Sequence, residues 1–321
     1  MWREIKKIIH HNHHFLITTH EHPDGDGIGS ACALIELLRH LGKEAKFIVD
    51  SAIAERFQFL NFHNCFYEYD SNLDVSNAQV FIILDTHRLE RIGRVAKYLQ
   101  RSTLIPICID HHLPSSTFTP NSVIDTRACS VGAMIYTLYK EIGFPLTLEA
   151  ATGIYTSVIS DTGRFSYAST SRKAHKLADE CIKLGVDPEL MHQRLFQQIP
   201  LNTINILAEA LATREFFFNE QLMIQTLVYH HEDPSSNLMD MDFLHEFNKM
   251  FKGLKCVVLL RELQDGRVRI SLRSSIGGPN VEEIAKQIGG GGHSKAAGAT
   301  LQLSLAAAKQ LALDYLKNKL V

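Results

Sequence analysis

No stretch of this 321-residue chain approaches the roughly 20 consecutive apolar residues of a membrane-spanning helix. Neither sign of charge dominates: 33 Lys and Arg stand against 35 Asp and Glu, a net charge of -2. The chain as a whole therefore lacks the field that gathers long nucleic acid, although a local basic pocket for a small anion is untouched by that argument. Its six cysteines (Cys32, Cys65, Cys108, Cys129, Cys181 and Cys256) include no C-x-x-C pair. Scattered through apparent core segments, they read as buried free thiols of a reducing compartment. Met1-Trp2-Arg3-Glu4 opens a charged amphipathic helix, not a signal peptide. These absences together point to a cytoplasmic chain with no membrane partner.

The first half alternates apolar runs with helical periodicity. Strands are expected at 15–19, 45–50, 79–85 and 104–110, and helices at 31–42, 89–100, 131–143, 148–161 and 173–185. Short apolar strands separated by helices predict an α/β domain, its mainly parallel sheet covered by helices on both faces. The alternation stops around 188–210, where Pro200 interrupts the chain. The last third has hairpin signals at Asn219-Glu220 and at Asp265-Gly266, a helix at 280–288, a glycine run and a final helix near 304–319, which predict a smaller α+β domain. The expected division is a first domain over 1–190, a helical linker over 191–209 and a second domain over 210–321.

Acidic and imidazole side chains gather where strands end. HEHPDGDGIGS (20–30) follows the first strand and offers His20, Asp24 and Asp26 among glycines expected to let the backbone fold. Read as extended backbone, the alternate carboxylates of Asp24 and Asp26 would point the same way. Asp85 closes VFIIL, Asp110-His111-His112 closes LIPICI, and Asp161 ends a helix. A single carboxylate at a strand end is usually a cap or turn residue. Several strand ends in one parallel sheet, however, open onto a common edge, where ligands bind. Four carboxylates and two imidazoles without a thiolate suit hard or borderline octahedral ions, Mn²⁺ before Mg²⁺. Six protein ligands are too many for one catalytic ion with open positions and fit two ions sharing a carboxylate.

Other clusters read more plainly. His10, His11, His13 and His14 straddle a helix end and a turn as exposed histidines, His230-His231 reads as a loop, and Ser171 reads as a helix cap. His87 stands two residues from Asp85, near enough in sequence to approach the site. The run GGGGHSKAAG (289–298), with Arg273 upstream, offers backbone N–H groups and charged donors to a phosphate.

These motifs, in this order, resemble the DHH phosphoesterase superfamily: H-x-x-P-D-x-D-x-x-G-S as His20–Ser30, the lone Asp85, Asp110-His111-His112, D-T-G as Asp161–Gly163, and the GGGHxxAAG signature of the DHH-associated C-terminal domain at 290–298. The resemblance implies that His20 and Asp24 bind one metal and that Asp26, His111 and Asp161 bind the other, with Asp85 bridging. It implies further that Asp110 orients His111 and that His112 meets the substrate phosphate. Arg164, Arg273, Gly290, Gly291, Gly292 and His293 would grip the substrate, leaving Asp85, Asp110 and His112 as the catalytic set. Among its branches the chain is most similar to the stand-alone nano-RNases, which implies two divalent cations and in-line attack on phosphorus by an activated water. The expected substrates are very short oligoribonucleotides and 3′-phosphoadenosine 5′-phosphate, with no long duplex DNA as partner. Linear or cyclic dinucleotides and polyphosphate are the alternatives, and a homodimer is left open. His22 stands where relatives often carry Arg or Asn.

Overall fold

The computed structural model describes residues 2–100, 103–113, 118–198, 201, 203–229 and 242–320. Pro200 and His230-His231 lie outside them. The chain divides into two compact units, residues 1–198 and 199–321.

Six strands build the first unit: β1 (His14–Thr18), β2 (Glu44–Val49), β3 (Phe66–Glu68), β4 (Val80–Leu84), β5 (Ile105–Asp110) and β6 (Ser122–Ile124). All pair in parallel, in the order β3-β2-β1-β4-β5-β6. The chain winds outward from β1 through β2 to β3, then returns to β4 and winds the other way. β1 and β4 therefore flank the switch point, where the loops at their carboxyl ends part and leave a crevice. β3 and β6 are three residues long, too short for the periodicity that marked the other four.

One face of the sheet carries α1 (Arg3–His11), α2 (Gly25–His40), α3 (Val131–Ile142), α4 (Leu148–Asp161), α5 (Arg172–Lys183) and α6 (Pro188–Phe196). α5 shows the pattern that makes such a layer: Ala174, Leu177, Ala178 and Cys181 form its buried stripe and polar residues the rest. Ser171 Oγ accepts the Ala174 N–H and caps it. The other face differs from expectation. Residues 89–100 do not form an α-helix but two 3₁₀ pieces broken at Gly93 (φ 58°, ψ -140°), whose Ile92, Val95 and Tyr98 cover Leu16, Ile48, Phe81 and Ile83. An added Cβ at Gly93 would also run into the Asp50 carboxylate, so the break is fixed by a close approach as well as by its φ.

α2 is a second departure. It starts at Gly25, not near residue 31, with Asp24 as its N-cap. Gly27 and Gly29 are thus helical residues whose value lies in what a Cβ would strike. At Gly29 it would come within 2.3 Å of the Gly153 carbonyl oxygen on α4, and at Gly27 within 2.4 Å of Thr19 Oγ1. The glycines bring α2 against α4 and against the end of β1; they are not hinges of a loop.

The second unit holds α7 (Thr203–Ala212), β7 (Glu215–Phe217), β8 (Leu222–Leu227), α8 (Asp242–Asn248), β9 (Cys256–Glu262), β10 (Val268–Ser274), α9 (Val281–Gln287), β11 (Gly291–His293), β12 (Ala296–Leu301) and α10 (Leu305–Leu320). Its mixed sheet runs β11-β12-β10-β9-β8-β7, with only β8 and β9 parallel. Asp265-Gly266 turns β9 into β10 with Gly266 at φ 77°. The glycine run is not a loop alone: Gly291–His293 pairs with β12 as a short antiparallel strand.

Candidate active site

Three central strands deliver the site to one edge of the first sheet. His20 lies two residues past β1, Asp85 directly after β4, and Asp110 is the last residue of β5. α2 brings Asp24 and Asp26 to the same edge and α4 brings Asp161 as its final residue. His20 Nε2 lies 3.7 Å from Asp24 Oδ2 and 3.4 Å from Asp85 Oδ2. His111 Nε2 lies 3.5 Å from Asp26 Oδ2, 3.6 Å from Asp161 Oδ2 and 3.7 Å from Asp85 Oδ1. Three overlapping donor groups result, His20–Asp24–Asp85, Asp26–His111–Asp161 and Asp85–His111–His112, and Asp85 turns one oxygen to His20 and the other to His111.

These separations are too long for good hydrogen bonds. They suit donors that share a cation at about 2.0–2.2 Å, which stand roughly 3–3.5 Å apart. Asp85 Oδ1 and His111 Nε2 are buried without a hydrogen-bond partner, an arrangement that costs free energy unless something else fills their coordination. Asp85 also holds a φ of 61°, rare for a non-glycine residue and tolerated best by Asp and Asn. The donor set and the orphaned atoms fit divalent cations.

Electrostatics agree with that fit. Burial, and next the Asp26 charge, push Asp85 well above the usual carboxylate range. The same two causes raise Asp161 to about 7. Burial raises Asp26 against the opposing pull of His111. Burial opposes protonation of His20, but the neighbouring Asp24 and Asp85 carboxylates outweigh it and lift the imidazole to about 10. Without a cation, this cluster holds protons that a cation would displace.

Asp26 is fixed by groups distant in sequence. Its Oδ1 accepts Ser157 Oγ–H at 2.6 Å and Ser30 Oγ–H at 3.0 Å, and its Oδ2 accepts the Val131 N–H at 2.9 Å. Val131 opens α3, so a helix N-terminus faces this carboxylate. Nothing local in the sequence marks Ser157 or Val131 for that task.

Asp110 does not have the role assigned to it from the sequence. The His111 ring places Nδ1 3.2 Å from the Ala128 carbonyl, and Asp110 receives only the backbone N–H of His111, at 2.7 Å. The Asp110 carboxylate instead bridges two other imidazoles: His112 Nδ1 at 2.8 Å and His87 Nδ1 at 2.6 Å. Burial alone would raise it, but the hydrogen bonds from His112 and His87 hold it below the usual carboxylate range. A deprotonated, acceptor-only carboxylate keeps a proton on Nδ1 of both rings and so fixes their orientation. His87, 6% exposed, is thus drawn into the site through Asp110; its spacing from Asp85 was its signal in the sequence.

The remaining sequence candidates are placed as follows. His22 is exposed, with its N–H donated to Ser51 Oγ at 3.0 Å. Arg164 is exposed in the turn after α4, its guanidinium 5.1 Å from the Phe196 ring centroid. Arg273, Gly290, Gly291, Gly292 and His293 belong to the second unit. His10, His11 and His13 are exposed, and His14 sits in β1 3.2 Å from Glu44. All six cysteines are free; Cys65 is only half-buried, the others buried. Among the described residues no helix is long and apolar enough to cross a membrane.

Comparison with known proteins shows the family. Residues 14–158 match the DHH family, N-terminal domain, and residues 219–320 the DHHA1 domain. The bifunctional oligoribonuclease and PAP phosphatase NrnA of Thermus thermophilus is 31% identical over 306 residues, 95% of this chain and 89% of that protein. An exopolyphosphatase-related protein of Bacteroides fragilis shares the fold with a TM-score of 0.90 at 22% identity, covering 98% of this chain and 95% of that one. Exonuclease RecJ bound to manganese superposes with a TM-score of 0.53 at 15% identity, over 98% of this chain and 93% of that one. With acids and imidazoles gathered at the strand ends and both domains in order, the chain belongs to the DHH family of phosphoesterases.

Proposed function

We propose that this enzyme hydrolyses very short oligoribonucleotides and 3′-phosphoadenosine 5′-phosphate with two divalent cations, Mn²⁺ first among them. The observation that carries the reading is the single Asp85 carboxylate, which offers one oxygen to His20 and the other to His111. His20 and Asp24 would hold one ion, Asp26, His111 and Asp161 the other, with Asp85 between them. Two such ions supply a water nucleophile at neutral pH and positive charge for the phosphoryl oxygens.

The chain's own residues do the rest. Asp26, Asp85 and His111 are buried or nearly so, which strengthens every charge interaction with a reacting phosphate. Asp110 Oδ1 fixes the His112 ring through Nδ1, and His112 would meet a phosphate oxygen. Arg273, His293 and the backbone of Gly291 and Gly292 are suited to a second phosphate, with Arg164 as a further candidate, whereas the Gly290 N–H is already donated to the Ala285 carbonyl at 2.7 Å. The substrate class is supported by likeness to the Thermus thermophilus enzyme over nearly the whole chain. Free thiols agree with a reducing compartment, and we place the enzyme in the cytoplasm.

The test is a panel with Mn²⁺: di- to pentaribonucleotides, 3′-phosphoadenosine 5′-phosphate, linear and cyclic dinucleotides, pyrophosphate and polyphosphate. Highest kcat/KM on the di- to pentaribonucleotides, with release of phosphate from the bisphosphate, is expected. Preference for polyphosphate or a cyclic dinucleotide would replace the substrate reading.

A further inference from the structure

Along β10 the side chains alternate: Val268, Ile270 and Leu272 enter the core, while Arg269, Ser271 and Arg273 leave the opposite face. The register carries this outer face across its neighbours. Arg269 stands opposite Arg261 on β9 and Thr300 on β12, Ser271 opposite Gly298, and Arg273 opposite Ala296. Gly298 and Ala296 in turn face Gly291 and His293 on β11.

Arg261 and Arg269 are therefore direct cross-strand neighbours of like charge, which destabilises an antiparallel pair. Neither makes an ion pair among the described residues, and the one hydrogen bond of Arg269 goes to a neutral group, the Thr300 hydroxyl, at 3.3 Å. Burial first, and the Arg269 charge second, hold the half-buried Arg261 below its ordinary pKa. The excess extends to α8, where the buried His245 has an unpartnered Nδ1. Burial, then Arg273, Lys249 and Arg261, push its pKa down to about 3. A guanidinium pair with no acid between it is relieved by an anion that takes hydrogen bonds from both.

The surface between this pair and Arg273 is low. The Arg269 guanidinium lies over Gly298, where an added Cβ would come within 3.4 Å of it, and a Cβ at Gly291 would meet nothing within 4 Å. From Arg273 to Arg269 the strand advances four residues, ~13 Å, which a single strand of about two to four nucleotides covers. Beyond Arg269 the stripe stops, because Arg267 is paired with Asp265 at 2.6 Å.

We propose that Arg261 and Arg269 form a second phosphate subsite on this face, which takes the further phosphates of a short single-stranded oligonucleotide whose first phosphate is held by Arg273 and His293. The assignment rests on the oligonucleotide reading above. It adds a length preference: affinity rises until the strand reaches the arginine pair and then levels off.

The protein in EDTA, which prevents turnover, is titrated with fluorescently labelled di-, tri- and pentaadenylate. Wild type should bind pentaadenylate more tightly than diadenylate. Arg269→Gln, and Arg261→Gln with Arg269→Gln, should reduce that affinity ratio about tenfold, as for a lost charge-assisted contact. The log–log salt slope for pentaadenylate should fall by about 0.7 for each phosphate contact removed. Lysine at both positions should restore the slope. Arg269 is exposed, so its single substitution keeps the test available if the double variant fails to fold. An unchanged ratio and slope, or equal weakening of both lengths, overturns the subsite. Turnover of diadenylate by wild type with Mn²⁺ is scored separately: its absence sinks the oligonucleotide reading, while the length dependence of binding still decides the subsite.

Discussion

His87 Nδ1 lies 2.6 Å from Asp110 Oδ2, and the other oxygen of that buried carboxylate lies 2.8 Å from His112 Nδ1. One carboxylate thus sets two imidazoles, and neither is the His111 it was expected to orient. Groups that fix a ligand's partner commonly cost 10–100-fold when removed. His87→Ala should lower kcat by about that factor while leaving bound metal unchanged, because His87 touches none of the six proposed ligands among its hydrogen-bond partners. It should also cost about 1–3 kcal/mol in a denaturant melt, since a buried carboxylate loses a donor. Steady-state kinetics beside metal analysis separates these effects; a drop in metal content equal to the drop in kcat would refute the positioning role.

Asp85→Asn should abolish turnover. Loss of a shared ligand removes several kcal/mol of transition-state stabilisation, or more than about 10³-fold in rate. Asn tolerates the left-handed backbone at this position, so the fold should survive. The metal-free variant should melt higher than metal-free wild type, because burying Asn here needs no proton uptake, whereas the buried Asp85 carboxylate must take one up. A lower melting temperature would show that the carboxylate charge supports the fold.

The metal-free protein should lose stability as pH rises. Asp161 binds its proton more tightly folded than unfolded, between an ordinary value of 3.8 and about 7, so the folded state is favoured at the acid end of that window. His20 acts with the same sign: its contribution is complete below 6.5 and is lost as pH passes about 10. Mn²⁺ displaces these protons, so its stabilisation should grow with pH. Melting curves in EDTA and in Mn²⁺ at pH 6 and pH 8.5 read this directly. A metal-free melting temperature that is flat or climbs between them contradicts the account.

Gly29→Ala should destabilise the first unit. The new Cβ would sit 2.3 Å from the Gly153 carbonyl oxygen, so α2 must move off α4. Overpacking of this kind costs about 1–3 kcal/mol, and the shift should weaken metal binding because both helices carry proposed ligands. Urea denaturation and a metal titration check the two parts; a neutral effect on both would show that the helices are free to separate.

Much of this protein was legible in its sequence because the signals are local. VFIIL is a strand wherever a sheet accepts it, Asp265-Gly266 is a turn by its own dihedral preference, and His20, Asp24, Asp26, Asp85, His111 and Asp161 announced themselves as acids and imidazoles at element ends. A parallel sheet then brings strand ends to one edge without further instruction. What the tertiary structure decided depends on contacts between distant residues. Gly27 and Gly29 resemble loop glycines in sequence, but their partners Thr19 and Gly153 make them a helix-packing surface. The helical period of 89–100 gave way to 3₁₀ turns because Gly93 must pass close to Asp50. The Asp110 carboxylate stands next to His111 in the chain, yet it turned to His112 and His87, since Ala128 already faces the His111 ring. Local chemistry named the donors; only packing could say which donor meets which acceptor.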